Sequence, residues 1–186
     1  MPYPAQMDAT RIVTYARELI ETEGVDNLSL NKLATLLGVK APSLYRHFAS
    51  KNDLLRAVNL HTGGQLVAAI LEAVKDAPDD SQARVRAMAH AYRAFVHAHP
   101  LTYALMFGSL SPELRPDPAL LEGMAIPLQT VMATITGEAD SLAALRGAMA
   151  LVHGFAMLEL NGQFQRGGDL NAAFTRAVDA YIAGWG

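Results

Sequence analysis

The chain has 186 residues, enough to bury a hydrophobic core in one or two domains. It contains no cysteine, which excludes disulfides, thiolate metal sites and cysteine nucleophiles. Apolar residues make up 51% and charged residues 18%, a globular composition, and the net charge of −3 does not by itself indicate a nucleic-acid partner.

Three helices are predicted in the first 50 residues. Apolar residues at i, i+4, i+7 and i+8 indicate an amphipathic helix over 8–23, and Gly24 suits its C-terminal end. Ser29 is a predicted N-cap of a short second helix that Gly38 ends. Pro42 suits the first turn of a third helix.

The remainder of the chain is also predicted to be helical. Ser50 is the expected N-cap of a long helix. Pro127 lies inside a later helix as an expected kink, and Asp140 or Ser141 is the expected cap of the one after it. The predicted helices cover 51–74, 82–98, 101–108, 119–137, 141–164 and 170–185. With nine to ten helices and no strand, the fold class is predicted to be all-α.

No membrane association is expected from the sequence. The first eight residues carry no basic start and no apolar run, so they do not resemble a signal peptide. The longest apolar stretch, 148–160, is interrupted by His153 and Glu159 and is shorter than the ~20 residues of a spanning helix. We therefore expect a cytoplasmic protein.

Charge is distributed unevenly along the chain. Residues 28–57 hold five basic side chains and one acidic side chain, whereas residues 61–186 hold eight basic and twelve acidic ones. The basic region has a net charge of +4 and coincides with the two short helices. Five cations can simply solvate a surface, but their position on adjacent helices favours a nucleic-acid partner.

The segment 30–48 has the pattern of a helix-turn-helix. Gly38 marks a tight turn, and the small Ala34 allows the second helix to cross close over the first. Apolar residues that fill the angle between the helices are Leu33, Leu37, Val39 and Leu44. This geometry places a recognition helix in the DNA major groove, although any small helical hairpin uses similar residues.

Residues 11–58 resemble the DNA-binding domain of the tetracycline-repressor (TetR) family of bacterial regulators. The run 44–48, Leu-Tyr-Arg-His-Phe, is followed by Ser50-Lys51 and by Asp53-Leu54-Leu55, close to that family's signature. Further matching spacings are those of Gly24, Ser29-Leu30, Leu33-Ala34 and Gly38-Val39. The resemblance implies a homodimer that binds a double-stranded, palindromic DNA operator.

The resemblance also implies residue roles. Tyr45 and His47 match the family's phosphate-contacting pair, and Lys51 matches the cation at the start of the fourth helix. Ser29 is a further candidate phosphate contact, through its hydroxyl and the adjacent helix N-terminus. Base readout is expected at the exposed start of the recognition helix, with a helix-2 position beside it: Lys40, Ala41, Pro42, Ser43 and Asn31. Arg46 is left open between a DNA contact and a solvated surface residue.

The second part of the chain resembles a TetR C-terminal type named for Trp, His and Gly residues. The resemblance rests on 98–107 and 152–154, although the chain's only tryptophan is Trp185. It implies a helical bundle that binds a small-molecule effector, and a four-helix interface formed with the partner by 119–137 and 141–164. We expect a DNA-binding domain over 1–50 and a ligand-binding and dimerisation domain over 51–186.

Aromatic and methionine side chains suggest a pocket for a small, largely apolar effector. The same residues would equally suit a core or a dimer seam. The candidate ligand-binding residues are Tyr92, Phe95, His99, Tyr103, Met106, Phe107, Met124, Leu128, His153 and Met157.

No metal, cofactor or catalytic site is predicted. His97 and His99 are two residues apart and point about 200° away from each other on a helix, so they do not chelate one ion. His99 with His153 is a less favoured metal pair than a hydrogen-bonded histidine. No catalytic constellation stands out, so the protein is predicted not to be an enzyme. The alternatives left open are a helical small-molecule enzyme and a protein-interaction module that binds no duplex DNA.

Overall fold

Helices account for most of the chain in the computed structural model, which describes residues 8–108 and 114–185. Nine α-helices and no strand lie within these residues, which confirms the all-α prediction. The helices are α1 (Ala9–Glu23), α2 (Leu30–Leu36), α3 (Ala41–Tyr45), α4 (Lys51–Asp76), α5 (Ser81–Ala98), α6 (Pro100–Gly108), α7 (Pro118–Thr136), α8 (Glu138–Leu160) and α9 (Leu170–Ala183). A 3-10 turn, Val25–Asn27, follows α1.

Two predicted features of α8 need correction. Helix α8 begins at Glu138, directly after Gly137 with φ of 74°, so neither Asp140 nor Ser141 is its cap. Ser141 is fully buried within α8, where its hydroxyl donates to the Glu138 carbonyl oxygen at 2.7 Å. The same helix ends at Leu160 rather than near 164. Pro127 lies inside α7 as predicted, and the expected kink there stays a prediction.

The first of two compact units comprises residues 1–63 and 99–118. Its core lies beneath α1, α2 and α3 and the first turns of α4. The core residues with no exposed surface are Ile12, Ala16, Ile20, Leu33, Leu44, Leu54 and Val58. Leu105 of α6 and Leu114 pack against this core. The short α2 and α3 are therefore held by tertiary packing, since isolated helices of five to seven residues are not stable in water.

The second unit comprises residues 64–98 and 119–186, in which α5 packs against α8 and α9. Tyr181 of α9 donates its hydroxyl to the Ala144 carbonyl oxygen of α8 at 2.6 Å. Helix α4 supplies residues to both units. The sequence predicted that the DNA-binding domain ends at residue 50. That functional boundary stays a prediction.

Helices α7 and α8 carry apolar side chains that the second unit leaves uncovered. Those on α7 are Leu120, Leu121 and Ile126, and those on α8 are Leu142, Met149 and Leu158. Both helices are long and apolar enough to cross a membrane by length and composition alone, which the sequence interpretation did not expect. Only 11% of the apolar window of α7 and 33% of that of α8 are buried. Such a surface on a helical protein is typical of an interface.

Candidate nucleic-acid interface

The turn between α2 and α3 depends on Gly38. Its φ of 66° lies in the left-handed region that glycine adopts without strain. The Val39 amide donates to the Ala34 carbonyl oxygen at 3.0 Å, and the Gly38 amide donates to the Thr35 carbonyl oxygen at 3.2 Å. These two bonds form a Schellman motif, which ends α2 and sets the direction in which α3 leaves.

Packing beneath the turn determines which side of α3 is exposed. Leu33 and Ala34 of α2 and Leu44 of α3 are buried against the core of the first unit. Val39 and Ala41 pack against the same core and remain partly accessible. With Leu44 facing inward, the opposite side of α3 is left for a ligand.

Most of the predicted DNA-contact residues of α2, α3 and the start of α4 are exposed. Lys40 occupies the N-cap position of α3, and Pro42 lies in the first turn. Tyr45 keeps 49% of its surface exposed, a large fraction for an aromatic residue. The exposed residues are Ser29, Asn31, Lys40, Pro42, Tyr45 and His47, and the half-buried ones are Ala41, Ser43 and Lys51. The geometry thus leaves nine candidate residues available, and their roles stay predictions.

Ser29 confirms its predicted place as the N-cap of α2. Its hydroxyl oxygen accepts from the Lys32 amide at 3.1 Å. The hydroxyl hydrogen is not used in that bond and can donate to a phosphate oxygen.

The five cations of the basic region are not equally available. Lys32 is paired with Glu23, and Arg56 lies 3.5 Å from the Asp53 carboxylate. Lys40 and Arg46 form no ion pair within 8–108 and 114–185. Lys51 also forms no ion pair there, so the uncompensated positive charge of the basic region lies at the two ends of α3 and at the start of α4.

Lys51 has a structural contact that the sequence did not reveal. Its ammonium group donates to the Val25 carbonyl oxygen at 3.0 Å, which ties the start of α4 to the 3-10 turn. The ammonium has three hydrogens, so two remain for a phosphate. Ser50, the predicted cap of α4, accepts from the Asp53 amide at 3.1 Å and donates to its carboxylate at 2.8 Å.

Arg46 joins the candidate surface on structural grounds. It is exposed at the C-cap of α3, between Tyr45 and His47 in sequence. Its guanidinium lies 3.5 Å from the Ser43 hydroxyl. The sequence left Arg46 undecided because a charged residue in a short helix carries no signal of which side it occupies.

The ten predicted ligand-binding residues are divided between the two units. His99, Tyr103, Met106 and Phe107 belong to the first unit, where Tyr103 is fully buried and lies 4.8 Å from the Phe107 ring. The six in the second unit are Tyr92, Phe95, Met124, Leu128, His153 and Met157. Burial lowers the pKa of His153, which favours its neutral, hydrogen-bonding form. A common pocket stays a prediction.

Gly38→Ala is expected to destabilise the protein by about 1 kcal/mol, because an L-residue with a Cβ is strained at positive φ. Gly38→Asn should cost less, since asparagine tolerates the left-handed region. Urea denaturation followed by circular dichroism measures both variants at one protein concentration. Equal midpoints for the wild type and Gly38→Ala would show that the turn is not strained by a side chain.

Taken together, a buried hairpin of two short helices with an exposed, cationic second helix defines a helix-turn-helix DNA-binding protein of the transcriptional-regulator class. The profile described as "Bacterial regulatory proteins, tetR family" matches residues 12–58. The profile described as "Tetracyclin repressor-like, C-terminal domain" matches residues 85–181. The chain belongs to the TetR family of transcriptional regulators, which are not enzymes.

Proteins similar to this chain over almost its whole length include a regulator matched by sequence and two solved structures. The HTH-type transcriptional regulator Rv0681 of Mycobacterium tuberculosis is 36% identical over 97% of this chain and 83% of its own length. A protein of Rhodococcus sp. RHA1 is 28% identical with a TM-score of 0.82, covering 100% of this chain and 98% of that one. A TetR variant of Acinetobacter baumannii AYE, solved in complex with minocycline, is 24% identical with a TM-score of 0.68, covering 96% and 92%. The predicted family is thereby confirmed, whereas the Trp-His-Gly subtype stays a prediction.

Proposed function

We propose that this protein is a homodimeric, effector-responsive repressor that binds a palindromic operator in the cytoplasm. The observation that carries the proposal is the exposed face of α3, on which Lys40, Tyr45 and His47 are accessible above a buried hairpin. Each subunit would place α3 in a major groove, so that a two-fold dimer reads two half-sites about one helical turn apart.

The uncovered apolar face of α7 and α8 supports dimerisation. Ile126 is 55% exposed and Leu120 is 50% exposed, and exposed branched apolar side chains on adjacent long helices favour burial against a second copy. Among the small residues of α8, Ala143 and Ala150 are exposed and allow close approach, whereas Ala144 and Ala148 are buried within their own unit.

Release by a small molecule is the proposed mode of regulation. The Acinetobacter protein of the same fold binds minocycline, which supports an organic effector for this chain. By thermodynamic linkage, an effector that binds the DNA-free arrangement more tightly weakens operator binding by the same factor.

Binding to duplex DNA tests this function directly. We expect saturable binding in fluorescence anisotropy to the promoter fragment beside the protein's own gene, with affinity that falls steeply with salt. Tyr45→Ala should weaken binding about tenfold, because each dimer loses two tyrosine side chains and the two phosphate contacts predicted for their hydroxyl groups.

Tyr15→Ala is the matched control, since Tyr15 is a similarly exposed tyrosine on α1 at 41%. The affinity of the Tyr15→Ala variant for the operator should equal that of the wild type. Absence of any salt-dependent duplex binding would instead favour the alternative of a protein-interaction module.

A further inference from the structure

Glu21 of α1 is fully engaged at the start of α6. Its carboxylate accepts from the Leu101 amide at 2.9 Å, the Thr102 amide at 3.1 Å and the Thr102 hydroxyl at 2.6 Å. Thr102 is completely buried. A carboxylate in this position satisfies free amides of the first helical turn and offsets the positive end of the helix dipole. Glu21 is therefore committed to α6.

Arg17 lies one turn before Glu21 on α1, the i, i+4 spacing at which oppositely charged side chains usually pair on a helix. Because Glu21 is turned to α6, Arg17 forms no ion pair with any residue in the described part of the chain. Its Nε is buried and has no hydrogen-bond partner there. A guanidinium does not lose its proton in a protein, so this donor stays charged.

Two histidines of the same unit lie within range of this charge. Burial lowers the pKa of His61, and the nearby Arg17 charge lowers it further. Burial and then Arg17 also lower the pKa of His99, whereas Glu21 acts in the opposite direction. The Nε2 atom of His61 is buried and has no partner among the described residues. Helices α1 and α4 thus each present an unsatisfied nitrogen in one electropositive environment.

Such a pair of nitrogens calls for a ligand. More than about nine in ten buried polar groups in proteins have a hydrogen-bond partner, and each exception needs an explanation. An anionic oxygen group answers both requirements, because it accepts from the Nε–H of Arg17 and from a neutral His61 that carries its proton on Nε2. It also neutralises the positive charge that Glu21 leaves uncompensated.

We propose that Arg17 and His61 form an anion subsite that binds the carboxylate or phosphate group of the effector. This inference rests on the proposed function, since it assigns the ligand class of the proposed regulator. The subsite lies on α1 and α4 within the first unit, the unit that also contains α2 and α3.

The test measures anion binding to the full-length protein without DNA. Probes are sodium benzoate, sodium octanoate and inorganic phosphate, each compared with sodium chloride at equal ionic strength. We expect at least one oxyanion to bind saturably in a thermal-shift assay and to raise the pKa of His61, followed by NMR of its ring protons. Arg17→Gln should weaken this binding about tenfold or more, as loss of a charge-assisted hydrogen bond does.

Arg11→Gln, an exposed arginine on the same helix, is the matched control and should bind as the wild type does. His61→Asn provides a second variant in case Arg17→Gln folds poorly, and it should also weaken binding. A preference for the carboxylates or for phosphate identifies which anionic group of the effector the subsite binds. If no oxyanion exceeds chloride, or if binding is unchanged in both variants, the subsite is overturned while operator binding still supports the proposed function. If anions bind but no operator does, the proposed function fails and the anion has no effector role.

Discussion

Replacing Lys40 with alanine is expected to weaken operator binding by about tenfold or more. Lys40 is exposed at the N-cap of α3 and has no acidic partner in the described residues, so its ammonium is available at the end of the helix that we propose enters the groove. A good base contact contributes about 1–3 kcal/mol of discrimination, and a dimer makes it twice. Fluorescence anisotropy on an operator located by footprinting measures the loss.

The matched control is Lys75→Ala, which removes the same charge from an exposed lysine at the end of α4. Lys75 interacts with Glu72 at 3.4 Å and lies outside the first unit. The Lys75→Ala substitution should leave operator affinity almost unchanged. If Lys40 contacts a base as predicted, Lys40→Ala should also relax the preference for that base pair, which is tested by competition with operators mutated one position at a time. Equal effects of the two variants would show that Lys40 contributes only bulk charge.

The candidate DNA surface could be predicted because its determinants are local. Ser29 and Ser50 cap helices through amides three residues away, and Gly38 ends α2 through bonds within five residues. Caps, glycine turns and apolar periodicity act over these short separations, so the residue pattern alone carries them. The same locality allowed the family signature in 44–55 to be recognised.

Contacts between distant residues could not be predicted in this way. Glu21 caps a helix 80 residues further along the chain, and Lys51 bonds a carbonyl 26 residues earlier. From the sequence alone, a charged side chain in an amphipathic helix is interpreted as exposed to solvent, because a partner far away along the chain is not known. The predicted start of α8 was wrong for a related reason. Ser141 resembles an N-cap residue, but its hydroxyl donates to a carbonyl oxygen within its own helix.

Glu159→Gln is expected to be the most destabilising of the proposed substitutions. Glu159 of α8 accepts from Arg93 of α5 with Nε at 2.7 Å, and a second guanidinium nitrogen completes a bidentate pair. The two side chains are only 6% and 13% exposed. Arg93 also donates to Asn171 of α9 at 2.9 Å and lies over the Phe174 ring at 4.8 Å. This cluster joins the three helices that pack in the second unit.

Removing the carboxylate leaves the Arg93 charge buried without its counter-ion. Breaking a buried pair from one side costs about 3–5 kcal/mol, and the residual contact to Asn171 places the expected loss near the lower bound. Urea denaturation at a fixed protein concentration measures it. Glu72→Gln, which removes one partner of the exposed Lys75–Glu72 pair, is the control and should cost less than about 0.5 kcal/mol.

The effect of Glu159→Gln should depend on pH. The hydrogen bond from Arg93 lowers the pKa of Glu159 and outweighs the opposing effect of burial, and the hydrogen bond from His97 lowers it further. A carboxyl whose pKa is lower in the folded state contributes its stability fully above the ordinary carboxyl pKa and loses it as pH falls through the folded-state pKa. The free energy of unfolding of the wild type should therefore exceed that of Glu159→Gln most at about pH 6–7, by the loss stated above. This difference in stability should shrink as the solution is acidified below about pH 4. A difference that stays constant across this range would show that the pair stabilises by packing rather than by charge.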